Sequence, residues 1–451
     1  MSARITILWL AVWNFLFHAC PAPAIDRAYW VWQRTKPLAE AESVELHRQK
    51  VDTLYWHVAT VDEKGVSNRF VPEAATLAPG FRVVPVVRME MKRLPASETF
   101  LKLARFAADG ALQLDFDVPD SQLGEYAARL TELRKEVPHL GITALAHWPQ
   151  VKEFPALARS VEELCPMFYD LQNDPTGVSA ETPPPPILDA EQAGKWIAVW
   201  KGCPTQWRAG LPAFSRMTIF DETGLSRGQI PDWEWDEVVF HSHLHTLAPT
   251  RRGVTLMQAD ATGLVARRPV KKGETVAVRT TDRAALTVCA EKAKVCGAAG
   301  EILFRLPAAG NGATCSLRGL ADGAGGQPRW KLRCEGDALV LQNEGTADLE
   351  PRLAGERNDR DRGYTLEIDA PAAVFRAAEP GDFFLVAGHA DPEAKPVRAS
   401  VPLATRLTFW FSHLEAGGNL RSGIFQLSVA ADPHTLRWRA AGGDWQPFDL
   451  P

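Results

Sequence analysis

Asp115 and Asp117 stand two residues apart in the run Leu112-Gln113-Leu114-Asp115-Phe116-Asp117-Val118-Pro119. In an extended strand, side chains alternate, so Gln113, Asp115 and Asp117 share one face while Leu112, Leu114 and Phe116 share the other. Two carboxylates this close repel, and burial adds to the cost of ionising both. One of them should hold its proton, as a general acid must. A second run, Pro166-Met167-Phe168-Tyr169-Asp170, sets Tyr169 on the face of Met167 and Asp170 at the rim. A phenol beside a carboxylate can hydrogen-bond a substrate carbonyl or a developing charge. The plainer alternatives are solvated strand-end aspartates that cap the next helix, and a buried tyrosine. Asp120 and Ser121 already offer that cap, which favours chemistry.

These residues need a scaffold that brings strand ends together. From Ala28 to about His245, short apolar runs alternate with stretches of helical period. The strand candidates are Ala28–Trp32, Thr53–Thr60, Arg82–Arg88, Leu112–Val118, Ile142–Trp148, Leu164–Tyr169, Ala209–Phe214 and Val238–His241. Leu38–Lys50, Ser97–Ala108, Ser121–Lys135 and Ala190–Lys201 read as helices. Eight βα units close a (β/α)8 barrel of the TIM type over residues 25–250, an α/β fold whose working residues sit at the C-terminal strand ends. Past Pro249 the helical period fades and short strands with Gly, Asp and Asn turns take over. Val254–Ala259, Leu264–Pro269, Thr275–Thr280, Ala285–Cys289, Ile302–Leu306 and Arg406–Phe411 are examples. Residues 251–451 therefore read as an all-β sandwich-like region, divisible into two modules near 345–360.

Together the two motif-bearing strands resemble the family-eighteen glycosidases, the chitinase-like barrels. That family carries D-x-x-D-x-D-x-E on strand four and M-x-Y-D on strand six. Met167, Tyr169 and Asp170 match the second motif, and Asp115 and Asp117 the two central aspartates of the first. Leu112 replaces the leading aspartate, and Pro119 stands where the acid glutamate belongs. The chain is also similar to an uncharacterised group of exported bacterial barrel proteins with this L-D-F-D strand. The resemblance implies that Asp117 orients or polarises a substrate amide with Asp115 beneath it. It further implies that Tyr169 bonds an acetamido carbonyl and Asp170 a sugar hydroxyl. Proline cannot donate a proton, so an enzyme would need its acid from elsewhere. Glu90, after strand three, is the first candidate, with Asp221 or Glu222 next. The partner carboxyl would lie about 5–10 Å away.

Tryptophans fit a saccharide ligand, because sugar C–H faces stack on rigid indole rings. Trp30 and Trp32 share a strand face, and with His57, His147 and Trp148 they form the candidate substrate-binding set. Trp56, Trp207, Trp233 and Trp235 also lie near strands, and the last two, in an acidic segment, are expected to be exposed. His241, His243 and His245 form H-x-H-x-H, which makes a metal-dependent hydrolase the rival enzyme class. A carbohydrate-binding protein without catalysis is the other alternative. No cofactor is expected.

The 451 residues are 46% hydrophobic and 23% charged, a globular balance, and the formal net charge of −5 argues against a nucleic-acid partner. Ile5–Phe17 is an uncharged, mostly apolar run after a short basic start, followed by small residues up to Ala24. This is the pattern of an export signal over residues 1–24, and it is too short for a membrane span of about 20 residues. A periplasmic or extracellular location is expected, and Cys20 allows a second reading as a lipid-anchored cysteine. Six further cysteines pair most naturally as Cys289 with Cys296 and Cys315 with Cys334, each across a hairpin, leaving Cys165 and Cys203.

Overall fold

The computed structural model describes residues 26–70, 74–247, 252–307, 315–321, 325–353, 362–370, 374–389, 404–428 and 436–448. The expected leader, Cys20 and Pro249 lie outside them. Eight parallel strands form the barrel: β1 (Asp26–Val31), β2 (Thr53–Asp62), β3 (Arg82–Glu90), β4 (Ala111–Asp115), β5 (His139–Leu145), β6 (Glu163–Met167), β7 (Gln206–Pro212) and β8 (Gly300–Phe304), with the short antiparallel run Gly65–Arg69 paired to β2. Each pairs with the next, and β1 pairs with both β2 and β8, so the barrel is closed. Helices α1 (Glu40–Arg48), α2 (Ser97–Leu101), α3 (Leu123–Leu133), α4 (Phe154–Arg159), α5 (Ala190–Val199) and α6 (Arg283–Val295) lie between successive strands.

Alternation along each strand sorts the side chains into two layers. Tyr29, Val31, Leu54, Trp56, Leu112, Leu114, Phe116, Leu164 and Phe168 belong to the cluster beneath the helices. Ala28, Trp30, Tyr55, Val84, Val86, Ala111, Cys165 and Ile302 fill the barrel interior. At its N-terminal end the interior is polar. Arg208 donates to Glu163 at 2.9 Å and to Asp26 at 2.5 Å, and the Tyr55 hydroxyl donates to Glu163. This network plugs the bottom, leaving the C-terminal mouth open.

The eighth strand is where sequence and structure part. Val238–His241 is not a strand: Trp235–Val239 is a short helix with Val238 and Val239 buried. The barrel closes instead with β8, part of the run Ile302–Leu306 first assigned to the β region. Residues on both sides of position 250 thus build it. Ala285–Cys289 is likewise helical, within α6. Asp282 caps that helix by accepting from Ala284 N–H at 2.9 Å, and Leu286, Cys289 and Ala293 form its buried stripe. Between β7 and α6 sits an antiparallel five-stranded sheet in the order 226–230, 216–220, 275–279, 254–259, 244–246.

Beyond the barrel, antiparallel sheets dominate as expected. A five-stranded sheet is centred on Tyr364–Asp369 and Arg406–Phe411, and a three-stranded one on Ala338–Asn343. Leu339, Leu341, Leu366, Phe409 and Trp438 pack between them. The expected disulfides do not form, and all six described cysteines are free. Cys289 lies in α6 and Cys296 at its C-cap, two turns apart, where the hairpin assumed for them does not exist.

Candidate functional site

A cavity of about 760 Å³ opens at the C-terminal end of the barrel. Trp30, Trp32, Arg88, Asp115, Asp117, Thr143, His147, Met167, Tyr169, Asp170, Trp196 and Phe304 line it, and Gln229, Ile230, Pro231 and Trp233 from the inserted sheet region supply one wall. Six of the sequence-derived candidates therefore share the space with Tyr169: Asp115, Asp117, Asp170, Trp30, Trp32 and His147.

The two strand-four carboxyls meet different surroundings. Asp115 ends β4, is buried, and accepts from Arg88 Nη1 at 2.9 Å and from Thr143 Oγ1 at 2.9 Å. Arg88 projects from β3 on the inward parity of Val84 and Val86, and it also pairs with Glu90 at 3.1 Å. Asp117 stands two residues past Asp115 at the mouth, accessible from the cavity and without a hydrogen bond or ion pair among the described residues. Enclosure by the cavity walls, then the charge of Asp115, raises its pKa; Arg88 opposes them. Asp117 thus holds its proton to higher pH than a free aspartate does.

Tyr169 continues the inward face of β6 after Cys165 and Met167. Its ring stacks on Phe304 at 6.0 Å and meets Phe214 edge-on at 6.0 Å. Desolvation, then the charges of Asp115, Asp170 and Asp117, pushes its hydroxyl pKa well above the usual phenol range, so it remains a donor. Asp170 takes a left-handed conformation (φ 52°), and both of its carboxylate oxygens accept from Arg216, one at 2.7 Å.

Trp30 and Trp32 supply the aromatic floor. Trp30 is nearly sealed and donates from Nε1 to Gln113 Oε1 at 2.7 Å. Trp32 is partly open; its ring stacks on the buried His57 at 4.0 Å, and the Arg88 guanidinium lies 5.9 Å from its centroid. His57 therefore supports the floor from below without lining the cavity. Its Nε2 lies 3.1 Å from Ala59 O and 3.2 Å from Thr60 Oγ1, and burial drives its pKa down to about 4. His147 sits at the rim, donating to Asp120 at 2.9 Å. That contact occupies Asp120, whose side chain makes no helix cap.

Several expected site residues lie elsewhere. Glu90 is exposed at the end of β3, paired with Arg88, and does not line the cavity. Asp221 is spent on its own turn, accepting from Thr223 and Leu225 N–H, and Glu222 lies against Gly273. Trp148 is fully buried with Trp56 and Trp207 in the layer under the helices. Trp233 and Trp235, expected to be exposed, are each 2% exposed and pack edge-to-face on one another, although Trp233 still reaches the cavity wall. The three histidines are not a metal site. His241 bonds Leu264 O at 2.9 Å, His243 lies 3.4 Å from Asp260, and no cluster suited to a metal exists among the described residues.

Sequence reasoning missed Arg88, Thr143, Trp196, Arg216 and Arg305. Strand parity pointed to Arg88 and, on the face of His147, to Thr143; the others depend on long-range pairing.

A closed parallel barrel with a charged, aromatic-lined cavity at its C-terminal end defines the architecture. Residues 95–228 match a family model described as a domain of unknown function (DUF3142). Similar solved structures include a glycoside hydrolase family 18 N-acetylglucosaminidase from Paenibacillus barengoltzii, 14% identical, covering 62% of this chain and 95% of that one with a TM-score of 0.40. A chitinase from Chromobacterium violaceum is 12% identical, covering 63% and 94% with a TM-score of 0.42. The spore cortex-lytic enzyme of Bacillus megaterium is 10% identical, covering 63% and 72% with a TM-score of 0.43. A search of the curated proteins returns no match. At such identities the likeness concerns the fold.

Proposed function

We propose that this chain binds a polysaccharide or amino-sugar polymer at the barrel mouth and hydrolyses it through its strand-end aspartates. One observation carries the reading: Asp115, Asp117 and Tyr169 converge in a single cavity floored by Trp30 and Trp32. A pyranose stacks on the partly open Trp32 ring and is polarised by the Tyr169 hydroxyl, which donates to an acetamido carbonyl. Asp117, the carboxyl inclined to hold a proton, delivers it to the glycosidic oxygen as the C–O bond opens. Asp115 faces the positive charge that develops on the sugar ring, its geometry fixed by Arg88 and Thr143. Water completes the hydrolysis: one product takes its hydroxyl, the other keeps the donated proton, and the water's remaining proton returns to the Asp117 carboxylate. We place this activity outside the cytoplasm, on the strength of the export-signal pattern read in residues 1–24.

The test is turnover of chromogenic amino-sugar oligomers by the full chain and by Asp117→Asn. Release of chromophore that is lost in the variant supports the enzyme.

A second reading is a carbohydrate-binding protein without catalysis. Pro119 favours it, since no glutamate stands there and Glu90 is outside the cavity. Retention on polysaccharide with no hydrolysis of any glycan in a broad panel would establish that reading over the first.

A further inference from the structure

A second recess, of about 640 Å³, adjoins the main cavity, and Trp32, Gln33 and Arg305 line both. Arg305 directly follows β8. It is half-buried and has no hydrogen bond or ion pair among the described residues. Asp232, in an exposed loop, is the carboxylate that acts on it electrostatically, and desolvation still outweighs that attraction. The other guanidiniums of the main cavity are occupied, Arg88 by Asp115 and Glu90, and Arg216 by Asp170.

The adjoining recess repeats the imbalance. Its Arg34 pairs with Glu42 at 2.6 Å, which also accepts from Ala39 N–H at 2.6 Å, so Glu42 is committed. Lys36, exposed on the same wall, has no side-chain partner among the described residues. Glu415 is the remaining carboxyl there, and burial with the nearby charge of Asp348 favours its neutral form. Two uncommitted cations therefore flank the passage beside the Trp32 platform. A guanidinium drawn partly out of water without a bonded counter-charge is costly, and its planar fork matches a carboxylate in two parallel hydrogen bonds.

We infer that Arg305, with Lys36 behind it, forms a subsite for a carboxylate carried by the saccharide, so that the ligand is an acidic sugar polymer. This inference rests on the saccharide reading above and narrows it from sugars in general to those with an ionised substituent beside the Trp32 platform.

The experiment is calorimetric titration of the full chain with two tetrasaccharides of equal length. One is the neutral N-acetylglucosamine tetramer; the other alternates N-acetylglucosamine with glucuronate. The acidic ligand should bind about tenfold tighter or more at low salt, a preference that shrinks as salt rises. Arg305→Gln should bring the ratio of the two affinities toward one, while Arg305→Lys should keep part of it. Thermal melting of both variants verifies that each is folded, and Lys36→Ala should give a smaller drop in the ratio. Equal affinities for the two ligands in the native protein, or a ratio that survives in a folded Arg305→Gln, would overturn the subsite and leave the saccharide reading standing. Failure of both tetrasaccharides to bind would overturn both.

Discussion

Arg88 donates to Asp115 at 2.9 Å, and no cation pairs with Asp117, two residues further along, among the described residues. The strand's own alternation sends both carboxyls into one cavity. A single guanidinium from the neighbouring strand then makes them unequal. Asp115 is locked by Arg88 and Thr143, whereas Asp117 is left facing the ligand space with its pKa raised. Splitting two similar acids by environment is how one site holds a proton donor beside a fixed negative charge.

Replacing Asp117 by Asn removes the donor and preserves the shape. Turnover should fall about 100-fold or more, with oligosaccharide affinity held within a few-fold. The folded pKa of Asp117 is raised, so this group favours folding at low pH and loses that contribution as pH rises through its folded pKa. Asp117→Asn should therefore melt no lower than the native protein near neutral pH, and the difference should fade toward pH 3. A variant with full turnover would remove Asp117 as the acid.

Arg88→Met takes away the cation that opposes the rise in Asp117 and that locks Asp115. In a pH–rate profile, the alkaline limb should move to higher pH, because Asp117 then keeps its proton longer. The loss of a part-buried charge-assisted bond to Asp115, its guanidinium side screened by solvent, should cost about 1 kcal/mol of stability, measured by denaturant unfolding. An unmoved limb in a folded variant would detach Arg88 from the chemistry.

Period-two and helical patterning carried most of the barrel into view. Seven of its strands, and the inward parity of Trp30, Trp32, Asp115, Asp117 and Tyr169, follow from local alternation. The eighth strand did not, because about ninety residues of inserted sheet and helix separate it from β7. Nothing local distinguishes the apolar run at Ile302 from those of the antiparallel sheets. Val238-Val239 looked extended because β-branched residues favour strands, yet burial on one side of a short helix overrode that preference. Burial also misplaced the tryptophans: Trp148 has the same composition around it as a platform residue and differs only in which layer it faces. Arg305 and Trp196 reach the site through tertiary packing that no spacing encodes.

That difference between layers can be measured. Trp32→Ala should weaken oligosaccharide binding about tenfold or more, since its partly exposed ring lines the cavity, with a modest loss of stability. Trp148→Ala removes a fully buried indole beneath the helices and should cost about 3–5 kcal/mol of stability. Provided it folds, its affinity for the oligosaccharide should be close to native. Opposite outcomes would mean the two layers have been exchanged.

His57 supplies the pH signature of the aromatic floor. It is sealed under Trp32, and its pKa of about 4 lies below the ordinary histidine value of about 6.5. Between those two pH values the unfolded chain binds a proton at this position that the folded chain refuses. Stability must then rise with pH across the window, and fall on acidification from about 6.5 toward 4, by up to about 3 kcal/mol from this group. His57→Gln keeps a hydrogen-bond donor near Ala59 and cannot titrate. The variant should be less stable at neutral pH, because the stacking with Trp32 and Phe70 is lost, yet its melting temperature should decline less steeply between pH 6.5 and 4. Parallel curves for the two proteins would show that the imidazole takes up its proton without opening the floor.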